Sequence, residues 1–202
     1  MSTSVFIEAD GIKLEGVENA VSNSRATVIA HPHPLYGGDM HNPVVTTIAD
    51  TYADMQWTTL CFNFRGVGAS QGTHDDGEGE QTDLQAAIDF LKDKGYGRID
   101  LAGYSFGAWI IARWAQCHQR ADHGIILVSP PAAFIDFSDI GPIAGLKSVI
   151  TGEFDEIAPP EVITPLLPRW HTGIVLSLVP GADHFYGGHL EALGKILRGA
   201  IG

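Results

Sequence analysis

The sequence predicts an α/β fold, with a mostly parallel sheet of eight strands and helices on both faces. Short continuous apolar runs recur along the chain, and such runs are typical of strands buried on both faces of a parallel sheet. Helical stretches lie between these runs, and this alternation is the pattern of βαβ units. The length of 202 residues suits one domain, which we expect to span residues 1–202.

The predicted elements follow from local patterns. Strands are predicted at 4–8 and 12–17, on either side of Asp10-Gly11, because this dipeptide favours a tight hairpin turn. Six apolar runs predict the other strands, at 26–30, 58–64, 98–104, 124–129, 146–152 and 173–179. Helices are predicted at 43–56, 80–94, 106–118 and 188–198. In the second helix Leu84, Ile88 and Leu91 recur at helical spacing.

Composition and charge argue against several classes of binding partner and of cellular location. The chain has 12 Lys and Arg residues against 24 Asp and Glu residues, a formal net charge of −12. This balance argues against nucleic acid or an anionic membrane as a partner. The chain has only two cysteines, without metal-ligand spacing, so neither a disulfide framework nor a cysteine zinc site is expected. We therefore expect reduced thiols in a cytoplasmic protein. We expect no signal peptide, because no long apolar stretch follows a basic start. We also expect no transmembrane helix, because no apolar stretch approaches about 18 residues.

Residues 103–107 carry the clearest chemical signal. They read Gly103-Tyr104-Ser105-Phe106-Gly107, a G-x-S-x-G pattern between a predicted strand and a predicted helix. In that setting the serine lies on a sharp, strained strand-to-helix turn that exposes its hydroxyl above the sheet. The sequence therefore predicts Ser105 as a nucleophile.

A serine nucleophile needs a base, and the base needs an acid to orient it. Later strands are followed by Asp155 and by His184, and ligand sites of open α/β sheets lie at such strand ends. The chain order would be Ser105, Asp155, His184, which is the order of this type of sheet. Glu153 and Glu156 remain alternative acids, and Asp183 is interpreted as a residue that shapes the loop.

Two backbone N–H groups are expected to stabilise the oxyanion. Phe106 follows the nucleophile and should supply one of them. The other should come from the loop after the 26–30 strand, where the prolines at 32 and 34 have no N–H. Of His33, Leu35 and Tyr36, His33 is the first choice and Leu35 the second. A metal site at His31 and His33 is the alternative, but no carboxylate cluster accompanies them, and we expect no metal.

Four segments resemble the α/β-hydrolase superfamily, and more closely its small lidless bacterial serine hydrolases. They are HPHPLYGGDMHNPVV at 31–45, FNFRGVGASQG at 62–72, GYSFG at 103–107 and GADHF at 181–185. The resemblance covers essentially the whole chain. It implies the nucleophile role for Ser105, the acid role for Asp155 and the base role for His184. It also implies a bracing role for Arg65. Only 129–145 separates the sixth and seventh strands, so we expect no cap domain.

The resulting expectation is a serine hydrolase that needs no cofactor and acts on a small acyl substrate. Carboxylic esters or thioesters with short to medium acyl groups would suit an open apolar cleft lined by Tyr36, Phe134 and Phe185. A peptidase, a lactone hydrolase or a cofactor-free haloperoxidase would use the same residues. A ligand-binding module without catalysis is a further alternative, and a homodimer is a further expectation.

Overall fold

Eight strands form one mixed, mostly parallel sheet in the computed structural model, which describes residues 2–118 and 122–202. The strands are β1 (Ser2–Ala9), β2 (Ile12–Asn19), β3 (Arg25–Ala30), β4 (Thr58–Phe62), β5 (Arg98–Tyr104), β6 (Ile125–Val128), β7 (Leu146–Gly152) and β8 (Leu176–Val179). Their order across the sheet is β1-β2-β4-β3-β5-β6-β7-β8. The pairs β1–β2 and β2–β4 are antiparallel, and all other pairs are parallel. The predicted fold class is therefore confirmed.

Six α-helices accompany the sheet in the described residues. They are α1 (Pro43–Asp54), α2 (Glu78–Asp93), α3 (Phe106–Cys117), α4 (Pro160–Ile163), α5 (Leu167–Trp170) and α6 (Leu190–Ile201). Single 3-10 turns span Pro34–Tyr36 and Thr164–Leu166. The four long helices match the predicted ones to within a few residues, and α1 begins where Asn42 caps the N–H of Val44 and Pro43 follows.

Two hydrophobic cores cover the two faces of the sheet. Neighbouring residues on one strand enter opposite cores, as Val28 and Ile29 of β3 do, because successive side chains of a strand alternate between faces. Helices α2 and α3 bury their apolar sides in one core, and α1 and α6 in the other. This double coverage explains why these strands read as continuous apolar runs.

Helices α4 and α5 were not predicted from the sequence, and the last strand begins later than predicted. Prolines at 159, 160, 165 and 168 interrupt any helical periodicity in this segment, and the short helices form around the fully buried Trp170. The predicted strand at 173–179 pairs only over Leu176–Val179, since Gly173 adopts a left-handed turn conformation before it. Residues 129–145, all of them described, contain neither helix nor strand, as expected for a chain without a cap.

Strands β3 and β5 to β8 run parallel, so their carboxyl ends meet at one edge of the sheet. The loops after β3, β5, β7 and β8 carry every residue that the sequence proposes for catalysis. Among the described residues no helix combines the length and the apolar character needed to cross a bilayer.

Candidate active site

Ser105 occupies a strained turn between β5 and α3. Its φ and ψ are 54° and −118°, and its N–H donates to the carbonyl of Val128 at 2.9 Å. A φ of this sign is uncommon outside glycine and persists only where neighbouring structure enforces it. The turn points the hydroxyl toward the loop after β8, where it meets a histidine.

The two glycines of the motif allow this turn to be so tight. A Cβ atom on Gly103 would lie 2.5 Å from the backbone carbonyl of Gly107. A Cβ atom on Gly107 would lie 2.4 Å from the carbonyl oxygen of Ala30 in β3. Both contacts are with backbone atoms, so any side chain at either position would force the turn away from the sheet.

Three side chains from three loops form one hydrogen-bonded row. His184 Nε2 lies 3.0 Å from Ser105 Oγ, and His184 Nδ1 lies 2.9 Å from each carboxylate oxygen of Asp155. All three residues are buried, with exposed fractions of 7% or less. The structure thus brings together the residues that the sequence named as nucleophile, base and acid. The geometry fits a histidine that donates from Nδ1 and accepts from the serine at Nε2.

The carboxylate of Asp155 is held in its ionised form. Its Oδ1 accepts hydrogen bonds from the N–H groups of Ile157 and Ala158 at 3.0 and 2.7 Å. Burial by itself raises the pKa of Asp155, but the hydrogen bond and charge of His184, the Ala158 N–H and the Ser129 hydroxyl outweigh burial. The pKa therefore lies below its usual value, and the group is an acceptor at neutral pH.

The alternative acids serve the loops instead. Glu153 accepts a hydrogen bond from the N–H of Gly181 at 2.8 Å, and Asp183 accepts one from the N–H of Phe185 at 3.0 Å. Glu156 is exposed to solvent. The structure gives the histidine contact to Asp155 alone among these four described acids.

The loop after β3 presents His33 to the helix that follows Ser105. The imidazole rings of His33 and His74 lie 5.0 Å apart, and His33 lies 4.7 Å from the ring of Phe106. Leu35 donates its N–H to Nδ1 of His33 at 3.2 Å, and Tyr36 donates its N–H to the His33 carbonyl at 3.1 Å. Both N–H groups are therefore occupied, whereas no hydrogen bond within the described residues uses those of His33 and Phe106.

His33 accepts the Leu35 bond because its imidazole is neutral. Burial, followed by the nearby His74, lowers the pKa of His33, and the acidic Glu80 and Asp76 only partly oppose this shift. The imidazole thus caps the 3-10 turn Pro34–Tyr36 of its own loop. This cap was not predicted from the sequence, because nothing in the pattern fixes the rotamer of His33.

Arg65 braces the turn after β4, as the resemblance implies. Its guanidinium contacts both carboxylate oxygens of Asp83 in α2, with a shortest distance of 2.7 Å, and its N–H also donates to that carboxylate. Asp83 is fully buried. Asp83 of α2 is therefore part of the scaffold around the site.

Residues 33–164 match the alpha/beta hydrolase fold family. The fold, the serine turn and this match define the class, and the chain belongs to the α/β-hydrolase fold family. It is similar to an alpha-beta serine hydrolase homologue from Coxiella burnetii at 33% identity and a TM-score of 0.91, over 99% of this chain and 97% of that one. It is also similar to a serine hydrolase without a lid from Xanthomonas campestris at 32% identity and a TM-score of 0.88, over 99% and 93% of the two chains.

An uncharacterized protein of Rickettsia prowazekii is a further relative. It is 34% identical over 186 residues, which cover 87% of this chain and 78% of the relative. These similarities extend well beyond the serine turn, and they support a lidless serine hydrolase architecture over almost the full chain.

Proposed function

We propose that the protein hydrolyses carboxylic esters or thioesters with short to medium acyl groups through an acyl-enzyme on Ser105. The observation that carries the proposal is the continuous row from Ser105 Oγ through His184 to Asp155, with distances of 3.0 Å and 2.9 Å. Such a row activates a hydroxyl that is otherwise a weak nucleophile.

In this reaction Ser105 Oγ attacks the substrate carbonyl while His184 Nε2 takes the serine proton. Asp155 holds the imidazole with Nδ1 protonated and stabilises the imidazolium that forms. His184 then gives the proton to the departing alcohol or thiol, and the acyl group remains on Ser105. A water molecule, deprotonated by His184, attacks the acyl-enzyme, and the proton returns to Ser105 as the acid leaves.

In this proposal the N–H groups of Phe106 and His33 stabilise the oxyanion. Phe106 is the first residue of α3, where helix N–H groups have no intrahelical partner and the helix dipole favours negative charge. His33 is preferred over Leu35 because the Leu35 N–H already donates to His33 Nδ1. Two donors aimed at the developing charge supply a large part of the catalysis in acyl transfer.

Exposed aromatic side chains at the sheet edge supply the substrate surface in this proposal. Tyr36, Phe134 and Phe185 are 87%, 74% and 70% exposed, and Phe154, next to the acid, is 64% exposed. Phe154 was not identified from the sequence, where it reads as one apolar residue in an acidic loop. Apolar walls without a cap suit acyl groups that bury only a few carbons.

The test pairs an active-site variant with an acyl-chain series. Ser105→Ala should lower turnover of p-nitrophenyl esters by roughly 10⁴–10⁶-fold, since removal of one member disables the unit. Its circular dichroism and melting temperature should stay close to those of the parent. Turnover by the purified variant at the parent rate would refute the proposal.

The same assay distinguishes the alternatives. Each additional buried methylene should add up to about 0.8 kcal/mol, roughly fourfold in kcat/KM, until the cleft is filled. Peptide or lactone substrates that exceed every ester would point to the other hydrolases. Labelling of Ser105 by a fluorophosphonate without turnover of any substrate would point to a binding module. A strong preference for long-chain acyl-CoA would contradict the proposed substrate size.

A further inference from the structure

Three buried hydroxyl groups lie behind the carboxylate of Asp155. They belong to Ser129, Thr151 and Tyr186, and each residue is fully buried. The Ser129 Oγ lies 2.7 Å from the Tyr186 Oη and 3.5 Å from the Thr151 Oγ1, which lies 3.2 Å from Asp155 Oδ2. The proposed reaction uses none of these hydroxyls directly, yet the cluster adjoins the residue that orients the base.

The backbone holds two of these hydroxyls in place at a cost. Ser129 and Tyr186 have φ values of 46° and 57°, in the left-handed region that Ser105 also occupies. A bulky residue in this region is an outlier that persists only where surrounding structure enforces it. Ser129 directly follows β6, and its N–H donates to the carbonyl of Ile150 at 2.7 Å. Tyr186 lies two residues after His184, so this strained position adjoins the base of the proposed triad.

The chemistry of the groups fixes the direction of the hydrogen bonds. An ionised carboxylate only accepts, so the Thr151 hydroxyl, 3.2 Å from Asp155 Oδ2, is the donor in that contact. The Thr151 oxygen in turn accepts the proton of the Ser129 hydroxyl at 3.5 Å. The Ser129 oxygen is then free to accept the proton of Tyr186 at 2.7 Å. Burial raises the pKa of Tyr186, so the phenol keeps that proton at every pH at which the enzyme would work. The Thr151 hydroxyl also faces the Ala158 carbonyl at 2.8 Å.

We infer that Ser129 and Tyr186 are positioning residues for Asp155, in a chain of hydrogen bonds that runs from the Tyr186 hydroxyl through the hydroxyls of Ser129 and Thr151 to the carboxylate. The inference rests on the proposed function. Backbone N–H groups fix Oδ1 of Asp155, and the hydroxyl cluster fixes the side of Oδ2. Together they hold the carboxylate in the plane in which both oxygens lie 2.9 Å from His184 Nδ1.

Loss of this chain of hydrogen-bonded hydroxyls has two consequences for catalysis. The carboxylate gains freedom to rotate, so the orientation of the imidazole is less well defined and kcat falls. Without the Ser129 proton on its oxygen, the Thr151 hydroxyl turns to the Ala158 carbonyl, 2.8 Å away. The carboxylate then loses a donor that disperses its charge, so it attracts the imidazolium more strongly. A higher pH is then needed to free the base, and the acidic limb of the kcat/KM profile moves upward. Within the described part of the chain, Asp183 and Tyr104 are the other titratable groups beside His184, and the Tyr104 hydroxyl donates to the His184 carbonyl at 2.8 Å.

The experiment compares Ser129→Ala and Tyr186→Phe with the parent enzyme on one p-nitrophenyl ester. We expect each variant to lose about tenfold in kcat, as for one hydrogen bond, with KM within about twofold. The acidic limb should rise by about half a pH unit. The double variant should be little worse than either single variant, because Tyr186 acts through Ser129. The low-field proton signal of His184 Nδ1–H should shift in the same variants.

Two controls separate the hydroxyl from other effects. Ser129→Gly also removes the hydroxyl but relieves the backbone strain, so it should lose as much kcat as Ser129→Ala. Tyr52→Phe removes the hydroxyl of another fully buried tyrosine, which packs against Trp57, and should leave the pH profile unchanged. Tyr186→Phe keeps the aromatic ring and so tests the chain even if Ser129→Ala does not fold.

Two results would overturn the inference. One is a folded Tyr186→Phe with the kcat and acidic limb of the parent. The other is full activity in Ser129→Gly, which would assign the effect to strain. Failure of the proposed function looks different, because Ser105→Ala would then retain turnover. A Ser105→Ala that is inactive beside unaffected Ser129 and Tyr186 variants would remove only the positioning roles.

Discussion

Acidification should destabilise the fold through His31, a fully buried histidine at the end of β3. Its Nδ1 lies 2.6 Å from the Pro32 carbonyl, and its Nε2 lies 3.0 Å from the N–H of Phe64. A single neutral tautomer, protonated at Nδ1, satisfies both contacts. Burial lowers the pKa of His31 from 6.5 to about 4, against the opposing bond to Pro32. His31 therefore ties the loop that carries His33 to the turn after β4 only while it is neutral.

The size of the effect follows from linkage. The folded pKa is depressed, so the unfolded chain takes up the proton first as the pH falls. The stability is fully present above pH 6.5 and is lost progressively down to about pH 4. A shift of about 2.5 units is worth about 3.4 kcal/mol in total. At pH 4.5 about 2.5 kcal/mol of this should already be lost.

Urea denaturation at pH 7.5 and pH 4.5 measures this loss. The parent should lose about 2.5 kcal/mol more than His31→Gln between the two pH values, since groups that titrate in both proteins cancel. His171→Gln, a change at an exposed histidine, should behave as the parent does. An equal loss in the parent and in His31→Gln would refute the reasoning about His31.

Three further outcomes are expected. Asp155→Asn should cost on the order of 10⁴-fold in kcat by favouring the wrong histidine tautomer, whereas Glu156→Gln should be close to the parent in the same ester assay. Gly107→Ala should cost about 2 kcal/mol in urea denaturation and lower activity, because its Cβ atom would lie 2.4 Å from the Ala30 carbonyl oxygen. Arg65→Met should lower the free energy of unfolding by about 3 kcal/mol or more, because it leaves the fully buried Asp83 carboxylate of α2 without its charged partner. A melting temperature unchanged by Arg65→Met would contradict the bracing role.

The sequence by itself determined the fold class and most of the elements. Strands buried on both faces read as continuous apolar runs, and this signal survives without any knowledge of neighbours. The serine turn could also be predicted from the sequence, because a G-x-S-x-G pattern between a strand and a helix reflects a steric requirement of the local backbone. The prolines of 159–168 had the opposite effect, since they obscured two short helices that form around the buried Trp170.

The tertiary structure decided which side chains meet. Ser105, Asp155 and His184 were proposed from their places after strands, but only the folded sheet brings Ser105 and Asp155 each within 3.0 Å of the His184 ring. The occupation of the Leu35 N–H depends on one side-chain rotamer of His33. The hydroxyls of Ser129 and Tyr186 meet across 57 positions of sequence. No local pattern encodes such a contact, because it arises from the register of β6 and β7 and from the path of the loop after β8.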